Sequence, residues 1–243
     1  MVSVGMRILR DEGVTIGAGN LTFKRVFDEL QDTQAIRITH ASVIGRIWEN
    51  QEAFQRDVTA AIALDDSSEE STSTLIKMIA IVDEADRSTI AGRWQAVVDL
   101  SRVVGESSLD DLLNSQTWPT WVGVWAGASS QPEDAVDSRL TEALTASYEA
   151  LATNYAYVFE EILLNLGLRA KDPYKIRHLA MAIAAMAEGC ALRDRYDRRT
   201  LRGIKRPTGP GGRSEEWTLF GIGIESLCRH MLEPIPRWKV SRR

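Results

Sequence analysis

The chain has 243 residues, of which 44% are hydrophobic and 26% charged, with a formal net charge of −5. That is the balance of a globular protein with room for two domains or one large one. No apolar run approaches the ~20 residues of a membrane span, and Met1 to Arg10 lack the basic-then-apolar order of a signal peptide, so an intracellular, cytoplasmic chain is expected. The acidity argues against non-specific coating of nucleic acid but leaves room for a local reading head.

Val2 to Asp11 reads as a short helix with Val4, Ile8 and Leu9 on its apolar face, ended by Gly13. Gly17-Ala18-Gly19 is a link; with no strand before it and no third glycine, it is not a phosphate loop. Asn20 is placed to cap a helix in which Phe23, Val26, Phe27 and Leu30 recur at helical spacing. After a turn over 31–37, Thr39 can cap a second, very short helix. There Val43, Ile44 and Ile47 form an apolar stripe, with His40, Ser42, Gly45 and Arg46 on or beside the other face. From Asn50 a longer helix reaches about Leu64, with Phe54, Val58, Ala61 and Ile62 inward. The acidic, polar stretch 65–71 is the best domain boundary.

Beyond it the pattern is helical throughout. Leu75, Met78, Ile79 and Val82 form one run; Ile90, Trp94, Val97, Val98 and Leu100 form another, ending near Gly105. Leu109, Leu112 and Leu113 follow. Trp118, Trp121 and Trp125 place three of the seven tryptophans within eight residues, beside an expected helix break at Pro119. They pack a core or wall an aromatic-lined cavity, since ligand pockets are mostly apolar with a few polar groups. Pro132 starts the longest expected helix, whose inner stripe is Val136, Leu140, Leu144, Tyr148, Leu151, Tyr155, Phe159 and Ile162, with Gly167 as its stop. Asp172 and Pro173 suit a cap and first helical position. The helix that follows, 179–187, is apolar on every side and therefore buried all round. The basic stretch 193–212 contains a Pro- and Gly-rich loop. Ser214-Glu215-Glu216 is expected to cap a last helix with Trp217, Phe220, Ile224, Leu227, Cys228 and Met231. Arg237 to Arg243 reads as a basic tail. No segment alternates with period two, so the expected fold is all-α. Cys190 and Cys228 fall in helical patterns as reduced core residues, with a disulfide or metal pair as the alternative.

A helical unit of about 60 residues ahead of a larger helical domain resembles the TetR family of bacterial transcription regulators. The resemblance is carried by Ile38-Thr39-His40-Ala41-Ser42-Val43-Ile44-Gly45-Arg46-Ile47-Trp48-Glu49-Asn50-Gln51-Glu52-Ala53-Phe54. This run is similar to the family's turn, recognition helix and start of the fourth helix, with Trp48 at the aromatic position. Residues 20–30 would be the supporting helix. Ile44 stands where the family commonly has Tyr, Gln51 where it has a phosphate-gripping Lys, and one extra residue separates the two landmarks.

The resemblance implies a helix-turn-helix DNA-binding domain over 1–64 and a larger helical effector-binding and dimerisation domain over 72–236. Its implied activity is that of a ligand-responsive regulator, a repressor by the family's usual mode, binding a near-palindromic double-stranded operator as a homodimer. Thr39 and Gln51 would bond phosphates, Lys24, Arg25 and Arg37 would add charge, and His40, Ser42 and Arg46 would face base edges, Gly45 lying among them. Beside the resemblance, Trp118, Trp121, Trp125, Tyr148, Tyr155 and Phe159 suggest an apolar or aromatic effector. Ile183, Met186, Ala187, Phe220, Ile224 and Leu227 are candidates for a four-helix dimer interface.

The first 60 residues carry seven Lys/Arg against eight Asp/Glu, which keeps open a helical module that meets protein instead of DNA. An enzyme is the weaker alternative: His40, His178 and His230 are the three histidines, none at metal-ligand spacing, and no Gly-x-Ser-x-Gly elbow occurs. No cofactor is expected.

Overall fold

The computed structural model describes residues 1–14, 18–65, 72–132, 137–209 and 211–236. In chain order its elements are α1 (Val2–Glu12), α2 (Phe23–Gln34), α3 (His40–Val43), α4 (Gln51–Ala63), α5 (Thr72–Glu84), α6 (Ile90–Asn114), α7 (Trp118–Ser129), α8 (Ser138–Asn165), β1 (Leu168–Ala170), α9 (Ile176–Leu201), β2 (Ile204–Pro207), β3 (Ser214–Trp217), α10 (Leu219–Met231) and β4 (Leu232–Pro234). The described chain is thus predominantly α-helical. The strands, which no period-two pattern announced, form two antiparallel pairs, β1 with β4 and β2 with β3. At three or four residues each they are too short for alternation to register.

The chain divides into two compact units, one of residues 1–67 and 115–150 and the other of 68–114 and 151–243. The first unit therefore takes in α7 and the start of α8 in addition to the N-terminal helices. Residues 66–71 of the expected 65–71 linker, Gly17, Val136, Pro210 and the tail from Arg237 lie outside the described residues.

The core of the first unit is built by the expected faces: Val4, Ile8 and Leu9 from α1, Phe23, Val26 and Leu30 from α2, and Phe54, Val58 and Ile62 from α4, with Val43 and Val124 completing it. Gly13, at φ +84°, ends α1 as expected. The cap of α2 is Thr22 and not Asn20: the Thr22 hydroxyl accepts from the Arg25 N–H, while the Asn20 amide donates to the Gly13 carbonyl at 3.1 Å. Asn50 caps α4 by accepting from the Ala53 N–H at 2.8 Å. Pro119 lies in the first turn of α7, where a missing N–H costs nothing, so it starts that helix and does not break one.

In the second unit α6 runs straight through Gly105. That glycine is a point of close approach, since a Cβ there would lie 2.4 Å from Cα of Gly221 on α10. The pair lets the two helix backbones meet, which a side chain at either position would prevent. Lys175 holds the N-cap position of α9, and Asp172-Pro173 precede it in the turn after β1. Ser214 to Trp217 form a strand, and the Thr218 hydroxyl caps α10 by accepting from the Gly221 N–H at 3.0 Å.

Charge is neutralised inside this unit. Arg202 bonds Asp194 at 2.6 Å and Asp110 at 2.7 Å, with only 4% of the Asp194 side chain exposed. Glu225, also buried, accepts from Arg206 and Arg229, each at 2.7 Å. Arg206 also lies over the Trp217 ring, 4.5 Å from its centre. These bonds hold the β2–β3 hairpin on α10. Cys190 and Cys228 are free and buried. Among the described residues no helix is long and apolar enough to cross a membrane.

Candidate nucleic-acid interface

Phe23, the first residue of α2, is the hub of the N-terminal surface. Its ring stacks on Phe54 at 5.0 Å and Phe27 at 5.8 Å, meets Trp48 at 6.2 Å, and takes the edge of His40 at 5.9 Å. Its backbone N–H donates to Oε1 of Gln51 on α4 at 3.3 Å. One fully buried aromatic thus draws together the N-termini of α2 and α4, the helix α3 and the loop after it. Both helix N-termini carry partial positive charge and face the same neighbourhood.

Helix α3 is a single turn, closed on itself by Ser42, whose hydroxyl accepts from the Thr39 N–H at 3.2 Å and donates to the Thr39 carbonyl at 2.7 Å. It stops at Val43 because Gly45 takes the left-handed conformation, φ +75°. The next residues close a tight loop, with the Gly45 N–H donating to the Trp48 carbonyl at 2.8 Å and the Ile47 N–H to the Val43 carbonyl at 2.9 Å. Trp48 anchors this loop: its indole N–H donates to Asp57 at 2.7 Å and its ring meets Phe54 edge-on at 4.8 Å.

This geometry corrects the expected stripe. Only Val43 packs inward; Ile44 is 39% exposed and Ile47 63%, because the helix ends before it can turn them toward the core. The loop, not a longer helix, presents Gly45 and Arg46. Thr39 and Ser42 are exposed, with the Ser42 hydroxyl engaged in the cap. His40 is exposed as a residue, but its ring edge leans on Phe27 at 5.2 Å. The Gln51 carbonyl oxygen is taken by Phe23.

The cations sort sharply. In the first unit Arg7 pairs with Glu29, Arg10 with Asp65, Arg25 with Glu12, Arg56 with Asp137 and Arg139 with Asp57. Among the described residues no carboxylate pairs with Lys24, Arg37 or Arg46. Arg25, one of the expected phosphate-binding residues, belongs to the paired set. The Asp57 that fixes Trp48 was missed in sequence, since a tryptophan and an aspartate nine residues apart carry no local signal.

The residues of the expected effector wall divide between the two units. Trp118, Trp121, Trp125 and Tyr148 belong to the first unit, Tyr155 and Phe159 to the second. Trp118 is buried, and Trp121 meets Tyr148 edge-on at 5.3 Å. Tyr155 stacks on Phe159 at 6.1 Å. Of the six, Phe159 lines an apolar cavity of about 50 Å³ inside the second unit, with Val97, Leu100, Ile183, Ile224 and Cys228. Burial pushes the Cys228 thiol up to about 12, so it meets the cavity uncharged. An open cleft of about 560 Å³ lies between α5 and α6, where Lys77 donates to Ser107 at 2.7 Å beside Glu106 and Asp110.

The expected dimer residues are likewise redistributed. Ile183, Ala187, Phe220 and Ile224 are buried within the second unit itself, while Met186 and Leu227 are half-buried. An all-apolar helix announces burial without saying whose side chains cover it. What α9 and α10 leave outward includes a different stripe, Ala185, Leu192 and Tyr196 on one and Leu219 and Ser226 on the other, while Arg193, Arg195 and Arg229 are exposed as well.

No protein-family model matches the chain, and no curated protein or solved structure shows significant similarity to it.

Proposed function

We propose that this protein is a ligand-responsive transcription regulator that binds double-stranded DNA through α2, α3 and the 44–48 loop. The observation that carries the reading is the segregation of charge in the first unit. Five arginines are neutralised by carboxylates, while no described carboxylate pairs with Lys24 on α2 or with Arg37 and Arg46 on either side of α3. A polyanion supplies the missing partners, and the two helix N-termini beside Phe23 add N–H donors for phosphates. Lys24 and Arg37 take phosphates, and Arg46, on the exposed loop, reaches base edges. The protein acts as a homodimer on a near-palindromic operator, pairing through the outward stripe of α9 and α10.

The effector is a small uncharged apolar molecule, and the apolar cavity around Phe159 and Cys228 is its entry point. At about 50 Å³ that cavity is far below the roughly 300–1,000 Å³ of ligand pockets, so occupancy must spread the helices around it. That is the differential affinity an effector needs in order to shift a population. Repression is the mode proposed.

The test is binding to the duplex upstream of the protein's own gene, titrated against salt. Sequence-dependent binding that weakens steeply with salt is the expected result. The exposed Ile36, Ile44 and Ile47 favour a second reading, a surface that docks on another protein. Failure to bind any duplex at low salt, with the dimer intact, decides for that one.

A further inference from the structure

An exposed isoleucine contributes little to folding, and isolated ones are ordinary. The 36–47 segment instead collects three: Ile36 at 44% exposure, Ile44 at 39% and Ile47 at 63%. They are interspersed with Arg37 and Arg46, two of the three cations that no described carboxylate neutralises. Apolar and cationic groups side by side suit a partner that offers negative charge with small apolar groups set among it. The DNA major groove has that composition: phosphates line its edges, and the thymine C5-methyl is the apolar group on its floor.

The loop is also built to hold two of these side chains still. The Ile44 backbone bridges to Trp48, and the Gly45 N–H closes on the Trp48 carbonyl at 2.8 Å. Trp48 is in turn fixed by Asp57 at 2.7 Å. β-Branching restricts the first side-chain torsion, so little freedom is left for binding to remove.

We infer that Ile44 and Ile47 read thymine methyl groups, so that the operator carries T·A pairs where each copy of the 44–48 loop enters the groove. The inference rests on the DNA-binding reading above and adds to it the base that is recognised and the residues that recognise it. Arg46, between them, reaches a guanine edge; the isoleucines select the methyl.

The experiment uses the full chain. A duplex is first selected from a random library, and each thymine in it is then replaced singly by deoxyuridine, which removes the methyl and keeps the base pair. Burying one methyl corresponds to roughly a fourfold change in affinity. The expected result is a loss of about that size at one or two symmetric positions with the native protein, and no loss at those positions with Ile44→Ala or Ile47→Ala. Both side chains are exposed, so the variants are expected to melt with the native protein; the uracil scan on the native protein stands even if they do not. A selected duplex that tolerates uracil at every position overturns the inference while leaving DNA binding in place. So does a uracil penalty that is the same in both alanine variants. A library that yields no enriched duplex overturns the DNA-binding reading and this inference together.

Discussion

The buried ion pairs of the second unit and the open cations around α3 in the first show two uses of basic residues. In the second unit, Arg202 is locked between Asp194 and Asp110, and Arg206 and Arg229 converge on the buried Glu225. There the charges hold α6, α9, α10 and the hairpin to one another, and breaking a pair strands its partner in low dielectric. In the 24–46 surface of the first unit, Lys24, Arg37 and Arg46 meet water, with no described carboxylate beside them. A cation bonded at both ends belongs to the fold. A cation left open beside others is available to a ligand. What distinguishes the two uses is the location of the acids.

The largest effect that can break this comparison is expected at Asp194. Asp194→Asn leaves half-buried Arg202 with only the more exposed Asp110 as its carboxylate and is expected to destabilise by roughly 1–3 kcal/mol. Urea denaturation followed by circular dichroism measures it, and a change under about 1 kcal/mol would place this pair with ordinary surface ion pairs. The combined change Lys24→Ala, Arg37→Ala and Arg46→Ala is expected to do the reverse. Stability stays within roughly 0.5 kcal/mol, while duplex affinity falls on the order of a hundredfold and the salt slope shrinks by about 0.9 for each phosphate that is no longer neutralised. Melting curves and salt-titrated binding check both halves. Equal affinity at low salt would remove these residues from the interface.

Gly45→Ala is a smaller and cleaner probe of the loop. A Cβ there meets nothing within 4 Å, so its cost is that of an alanine at φ +75°, about 1–2 kcal/mol. Some of that cost is relieved if the loop rearranges, and binding then falls by more than the stability change alone explains. Smallest is Glu188→Gln on α9. Burial raises the Glu188 carboxyl above its ordinary range, so the folded state favours the protonated form. Stability from this group is full below its unfolded value and is lost as pH rises through the folded one. The substitution is therefore expected to raise the melting temperature at pH 7, by an amount within roughly 0.5 kcal/mol, with the difference vanishing in acid. A gain that persists at low pH would refute the burial account.

Local pattern was legible where a single helix face met a single core. The Phe23, Val26, Leu30 face of α2 and the Phe54, Val58, Ile62 face of α4 are buried as their spacing implies. So are Gly13 and Gly167 legible as helix ends, each at positive φ. Patterns misled where a residue had two structural uses. Gly105 looks like a stop and is a helix crossing; Asn20 and Asp172 look like caps, yet Thr22 and Lys175 occupy those positions. Of the candidate interface, the sequence exposes the short helix and the residues around it. It does not expose that α3 closes after one turn, because an apolar run through Ile47 is equally compatible with one turn or two until Gly45 takes its left-handed form.

The sequence by itself determined that the chain is helical, since helix periodicity and capping residues are local properties of neighbouring side chains. It also placed Lys24, Arg37 and Arg46 near one short helix. Only the tertiary structure decided which charges are neutralised. Arg25 and Arg46 are alike in sequence, and it is Glu12, brought in from α1, that neutralises the one and not the other. The same holds for Ile183 and Phe220, which face their own chain because α6, α9 and α10 fold over each other. Pairing and burial depend on residues far apart in the chain, and no local pattern encodes that distance.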